Sequence, residues 1–254
     1  MSRTTDSSGA TPHVMTRSAS GAGQARQGSN GLNRVDALNV NIGSELLNGL
    51  YVAVVADALD MVGLRHQCPR IDLLPRTGVN RLVGRCRTTL WEDLSADDPS
   101  PYELELEAVD GCNQGDVIIA AASGSRVSGT RGELLSTAAR NAGCSGVLVD
   151  GAVRDITKMT QMCFPCFARY ACPYDSQHRQ RVVEVGVPVQ IDGVTFNDGD
   201  LVLADLDGVV VVPRAVEDEV LHLATKKVTD EDETRAAIHL GMPAQEAYAK
   251  FGVL

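Results

Sequence analysis

The chain has 254 residues, with 33 acidic against 23 basic side chains and a net charge of -10. That length can bury a full α/β core, and 44% hydrophobic with 22% charged residues is ordinary globular composition. The acidic balance and only 4% aromatic residues exclude a surface built for nucleic acid, and no apolar run is long enough to span a membrane. Four of the cations are lysines (Lys158, Lys226, Lys227 and Lys250), so few candidates exist for an imine-forming lysine. The seven cysteines are odd in number and widely spaced, which points to reduced thiols, no disulfide framework and a cytoplasmic location.

In chain order, residues 1–31 are rich in Ser, Gly and Thr without apolar periodicity, and are expected to form a disordered polar tail. Their Arg and Ser content with one acid, Asp6, is also a transit-peptide composition, but no amphipathic face accompanies it. Residues 32–254 read as a single α/β domain. Residues 44–63 are expected to be helical, with Ser44 as a cap and Val54, Val55, Ala58, Leu59 and Val62 on one face. Residues 83–90 predict a strand, and the Asp-Pro-rich stretch 93–102 a loop. A strand follows at 117–121, then a Gly/Ser/Arg loop and a helix over 133–141 ended by Gly143. The next strand, 147–150, runs into Arg154, Asp155 and a short helix, so this stretch forms a βαβ unit with parallel strands. Residues 182–190, 201–205 and 209–212 predict strands, with a turn at Asp207-Gly208, and the segment from Val216 onward is helical and charged. Gly115-Asp116 and Gly199-Asp200 introduce similar apolar strands, which one shared turn design explains as well as duplication does.

The chemistry concentrates between Gly132 and Asp155. The start of a helix at Gly132, Glu133, Leu134 and Leu135 offers free backbone N–H groups to a carboxylate or phosphate. Arg154 and Asp155 leave the carboxyl end of the next strand, where ligands of α/β sheets sit, so both elements are expected to face one crevice. Arg154 supplies a fork for an oxyanion, and Asp155 a hard oxygen for Mg2+ or Mn2+. The alternatives are that the two simply bridge each other, or that Asp155 caps the following helix.

GELLSTAARNAGCSGVLVDGAVRD resembles the signature of the family that includes 4-hydroxy-4-methyl-2-oxoglutarate aldolases and the regulator of ribonuclease E activity A. The resemblance extends to residues 56–60, 115–117, 165–169 and 205–213, in the same order. It implies a compact β/β/α, swivelling-domain-like fold, assembled as a homotrimer or homohexamer with sites at subunit interfaces. It further implies that the backbone of Gly132, Glu133, Leu134 and Leu135 binds a pyruvyl carboxylate, that Arg154 contacts substrate oxygens, that Asp155 binds the divalent metal, and that Glu133 holds metal-bound water as a proton shuttle. The expected activity is metal-dependent cleavage of a 4-hydroxy-2-oxo diacid to pyruvate, with oxaloacetate decarboxylation possible at the same site. The rival is a non-catalytic regulator that binds a ribonuclease or another protein.

Other signals are weaker. Gly124 to Gly129 has P-loop-like glycine spacing without the Lys-Ser/Thr pair, and reads as a mobile lid or interface loop. Cys163, Cys166, Cys172 and His178 have the count of a zinc site, and Cys163-Phe-Pro-Cys166 the spacing of a redox pair, but ordinary thiols are the simpler expectation. Asp175 to Arg179 reads either as a stretch reaching an active site across an oligomer interface or, more simply, as a solvated loop, and His13, His66, His222 and His239 as surface residues.

Overall fold

The computed structural model describes residues 47–253. The expected tail, the domain start at Leu32, and the Ser44 cap lie outside the described residues. The elements, in order, are α1 (Val52–Met61), β1 (Leu74–Pro75), β2 (Leu82–Asp93), α2 (Glu103–Asp110), β3 (Asp116–Ala121), α3 (Glu133–Asn141), β4 (Gly146–Val153) and α4 (Ile156–Gln161). They continue with β5 (Cys166–Ala171), β6 (Gln180–Val185), β7 (Val189–Ile191), β8 (Val194–Phe196), β9 (Leu201–Ala204), β10 (Val209–Val212), α5 (Glu217–His239) and α6 (Ala244–Phe251).

The main sheet has the order β1-β5-β4-β3-β2-β9-β10, with β6 also paired to β2. Strands β2 to β5 are mutually parallel, and β3, α3 and β4 form the expected βαβ unit. Strand alternation sorts the core into layers. Val117, Ile119 and Ala121 of β3 pack with Val189, Ile191, Val194 and Phe196 of the β7–β8 hairpin. Ile118 and Ala120, on the opposite face, meet Val109 of α2, Ala139 of α3 and Met159 of α4. On that same face Leu201, Leu203, Val210 and Val212 contact Val54, Val55 and Ala58 of α1 and Val220 and Ala224 of α5. Hairpin, sheet and helices therefore stack as the expected β/β/α arrangement. No described helix is long and apolar enough to cross a membrane.

Local chemistry explains where elements begin and end. Asp205, at the end of β9, accepts a hydrogen bond from the Val52 N–H at 2.8 Å and so caps α1. Before β3, Asp116 accepts from the backbone N–H of Asn113 at 2.7 Å; before β9, Asp200 does the same for Asn197 at 3.2 Å. Gly115 and Gly199 sit at φ 88° and 85°, so the two echoing segments share one turn.

One expectation required correction, and two features were not foreseen. Helix α2 was not foreseen, because ELELEAVD alternates like a strand while its buried residues are Glu105, Ala108 and Val109 at helical spacing. The strand expected over 182–190 breaks after Val185, where Gly186 takes φ 73° and Pro188 has no N–H to donate. The β7–β8 hairpin turns on Asp192 and Gly193, both at positive φ, a two-residue signal that the sequence reading passed over.

Candidate functional site

The site forms where the segment before α3 runs beside the end of β4. Gly129 bridges Ala152, the Thr130 N–H donates to the Ala152 carbonyl at 2.9 Å, and the Arg154 N–H donates to the Arg131 carbonyl at 2.9 Å. This short pairing brings Gly132 against Asp155. Strand β4 also bulges between Val149 and Ala152, and buried Asp150 there holds Arg169 at 2.9 Å.

Gly132 is the N-cap of α3 and contributes no side-chain cap. Its place is taken from across the crevice: the Asp155 Oδ2 accepts from the Glu133 N–H at 3.2 Å. The N–H groups of Leu134 and Leu135, in the same first turn, remain donors without helical partners. Asp155 thus caps α3 and not its own helix α4, where it stands at φ 55° without a side-chain cap bond. Direct bridging to Arg154 is loose, with Nε to Oδ2 at 3.8 Å. An added methyl group on Gly132 would lie 2.6 Å from the Asp155 Oδ2, which explains why glycine stands there.

Arg154 is held elsewhere. Its Nη1 lies 2.7 Å from the Oδ2 of Asp175, whose Oδ1 accepts from the Tyr102 hydroxyl at 2.6 Å and the Gln177 N–H at 2.9 Å. Partial burial works to raise the Asp175 pKa, but the bonds from Tyr102, Gln177 and Arg154 outweigh it and hold the carboxylate below its usual range. The Tyr102 phenol is pushed up to about 12, first by burial and then by its carboxylate partner. Asp175 is therefore part of the wall around Arg154 within its own chain, contrary to the expected solvated loop.

These groups line a cavity of about 280 Å³ that includes Tyr102, Glu105, Gly132, Leu135, Arg154 and Asp155. Leu134, 76% exposed, stands at its edge. Gly132, Leu134, Leu135, Arg154 and Asp155 are thus brought together as expected. Glu133 differs: its carboxylate accepts from the Thr137 hydroxyl at 3.2 Å, and it is not among the groups lining the cavity. Sequence reasoning missed Tyr102, Glu105 and Arg131. Glu105 had a readable signal, an acid on the stripe shared with Ala108 and Val109. Burial pushes its carboxyl up to about 7, with Arg131 and Arg154 opposing and Asp175 adding.

Ser128 is fully buried and bonded to Gln180, and the Gly129 N–H donates to the Tyr174 carbonyl, so the end of the P-loop-like segment is packed while Arg126 and Val127 are exposed. Cys166 and Cys172 are buried, Cys163 is exposed, and among the described residues no three His, Cys, Asp or Glu side chains gather as a metal site. A larger hollow of about 630 Å³, between the end of α1 and the β7–β8 turn, contains none of the expected site residues. His66, His222 and His239 are exposed, as expected.

Mixed α/β layering with an arginine, a carboxylate and a helix start at the carboxyl end of parallel strands is the pattern of an oxyanion-binding α/β protein. Comparison with known proteins is more specific. A family model described as RraA-like, Aldolase/RraA, matches residues 52–211. A relative from Halalkalibacterium halodurans, provisionally named 4-hydroxy-4-methyl-2-oxoglutarate aldolase, is 32% identical over 194 residues, covering 76% of this chain and 87% of its own. Among solved structures, an uncharacterized Pseudomonas syringae pv. tomato protein superposes with a TM-score of 0.70 at 27% identity, covering 80% of this chain and 96% of that one. Streptomyces coelicolor RraAS2, described as an unusual member of the RNase ES inhibitor RraA protein family, superposes at 0.66 and 26% identity, covering 75% and 96%. The chain belongs to the RraA-like family.

Proposed function

We propose that this protein is a carbon–carbon lyase that cleaves a 4-hydroxy-2-oxo diacid, such as 4-hydroxy-4-methyl-2-oxoglutarate, to pyruvate, and that it decarboxylates oxaloacetate at the same site. The observation that carries this reading is the meeting of Arg154, Asp155 and the free N–H groups of α3 in one cavity. The aldolase name of the Halalkalibacterium relative supports it.

The first turn of α3 would receive the 2-oxo acid carboxylate through the N–H groups of Leu134 and Leu135, assisted by the helix dipole. Breaking the C3–C4 bond leaves an electron pair that spreads onto the C2 oxygen as an enolate. Arg154, held in place through Asp175 and Tyr102, would stabilise that charge where it develops. Asp155 would hold Mg2+ or Mn2+. Its carboxylate is 40% exposed at the cavity, and such an ion needs few protein carboxylates because water and substrate fill its other positions. When bound, the ion supplies Lewis acidity toward the 2-oxo group. The scarcity of lysine agrees with a mechanism that needs no imine.

In this reading the protein works as a homotrimer or a pair of trimers, with a neighbouring chain closing the cavity mouth. A second reading, a regulator that binds a ribonuclease, is favoured by the likeness to RraAS2 and by exposed Leu106 and Leu134 beside the cavity. A pyruvate-coupled assay on both oxo acids, with Mg2+ against chelator, separates the two. Metal-dependent pyruvate supports the lyase; none from either substrate, with binding to a ribonuclease, supports the regulator.

A further inference from the structure

Three carboxyl groups line the cavity, and one of them differs in kind. Asp155 and Asp175 carry side chains 40% and 36% exposed, whereas Glu105 is 2% exposed. Helix α2 carries Glu105 inward on its apolar stripe and sets it 3.9 Å from the Nη1 of Arg131, itself 3% exposed. That separation is too long for a hydrogen bond. The Glu105 Oε1 and the Arg131 Nη1 are both buried without a hydrogen-bond partner.

A buried ion pair kept only for structure is stable when its remaining polar atoms are satisfied. Here both partners keep an unmet atom, and the acid faces the cavity that holds Arg154. The charged groups around it are Arg131 from the segment before α3, Arg154 from the end of β4 and Asp175 from the β5–β6 loop. Two cations against one anion leave room for a group that changes charge during the reaction. The Glu133 carboxylate, the other acid at this helix start, bonds to Thr137 instead.

We propose that Glu105 is the proton carrier of the lyase reaction, with Arg131 as the residue that positions it. This rests on the lyase reading above. The Glu105 carboxylate accepts the proton of the substrate C4 hydroxyl while the C3–C4 bond breaks. The C4–O bond becomes a carbonyl, and the broken pair stays on C3 as the enolate. Glu105, now a carboxylic acid, returns the same proton to C3 and yields the methyl group of pyruvate. No external acid, base or oxidant enters the balance. Decarboxylation differs, because losing CO2 forms the enolate without a hydroxyl proton to remove, and the released enolate takes its C3 proton from water.

The test compares wild type with Glu105→Gln and Glu105→Asp in three assays: retro-aldol cleavage, oxaloacetate decarboxylation, and exchange of pyruvate methyl protons in D2O followed by NMR. Glu105→Gln is expected to lower the retro-aldol kcat by about 100-fold or more, the usual contribution of an acid–base group. Its KM and its decarboxylation rate stay within about threefold of wild type, and methyl exchange is lost. The retro-aldol rate of wild type rises with pH as Glu105 ionises, and Glu105→Gln loses that limb. If cleavage and decarboxylation fall together, or cleavage persists within about threefold, the proposal is overturned. Should Glu105→Gln not fold, Glu105→Asp decides: partial cleavage with the pH limb kept supports the role, and full activity overturns it. Wild type that exchanges pyruvate protons but cleaves no 4-hydroxy acid removes the proposed substrate, while loss of exchange in Glu105→Gln still supports Glu105. Wild type inactive in all three assays overturns both readings.

Discussion

Gly132→Ala tests the geometry of the site with one carbon atom. The new Cβ would stand 2.6 Å from the Asp155 Oδ2 and 3.1 Å from the Arg154 Nε. Ordinary contact begins at 3.4 Å, so the Asp155 carboxylate must retreat by about 0.8 Å, and its bond to the Glu133 N–H stretches or breaks. The backbone itself has no objection, since Gly132 sits at φ -126°. The stability cost is therefore that of a poorer cap, about 1 kcal/mol, or a fall of a few degrees in melting temperature. Displacing reacting groups by about 1 Å costs on the order of 100-fold, close to 3 kcal/mol in the barrier. Pyruvate release coupled to lactate dehydrogenase gives kcat/KM, and a thermal melt gives the stability. A variant that folds and keeps kcat/KM within about threefold of wild type would refute the reasoning that Gly132, Arg154 and Asp155 act as one constellation.

Further expectations follow from single contacts. Arg154→Lys keeps the charge but loses the fork that reaches Asp175, and should cut kcat/KM by about 10- to 100-fold; steady-state kinetics with unchanged values would show that the fork is idle. Asp155→Asn should abolish calorimetric Mg2+ or Mn2+ binding, and undiminished binding would place the ion elsewhere. Phe167, fully buried between the sheet and the β7–β8 hairpin, should cost about 3–5 kcal/mol on truncation to alanine, read by urea unfolding; a loss below about 1 kcal/mol would contradict the layered core. Burial raises Glu105 from 4.5 to about 7, so its contribution to folding is present below pH 4.5 and is lost as pH rises through 7. Relative to Glu105→Gln, wild type should lose about 3 kcal/mol of stability between pH 4.5 and 8, and parallel pH curves would refute this.

Much of this architecture was legible because local rules and global packing agree. Glycine starts and ends α3, apolar runs mark β3 and β4, and Gly208 turns β9 into β10, so short-range chemistry placed these elements. Helix α2 was hidden because the burial of Glu105 depends on Arg131, which is distant in sequence and supplied only by the fold. Arg154 and Asp155 were found as neighbours on a strand end, but their partners were not. The Asp175–Arg154 contact and the capping of α3 by Asp155 join segments about 20 residues apart, and the short pairing of Gly129 with Ala152 that sets Gly132 against Asp155 carries no periodic signal. Pattern reading locates the ends of elements; it does not say which side chain crosses a crevice.

Arg154 and the ion that Asp155 would hold are the centre of the proposed reaction. Pyruvate formed from 4-hydroxy-4-methyl-2-oxoglutarate should be measured for wild type and Arg154→Ala, each with Mg2+ and after chelation. Wild type should form pyruvate with Mg2+ and little after chelation, and Arg154→Ala should lose about 100-fold or more. Pyruvate formed equally well by the chelated wild type, or by Arg154→Ala, would contradict this.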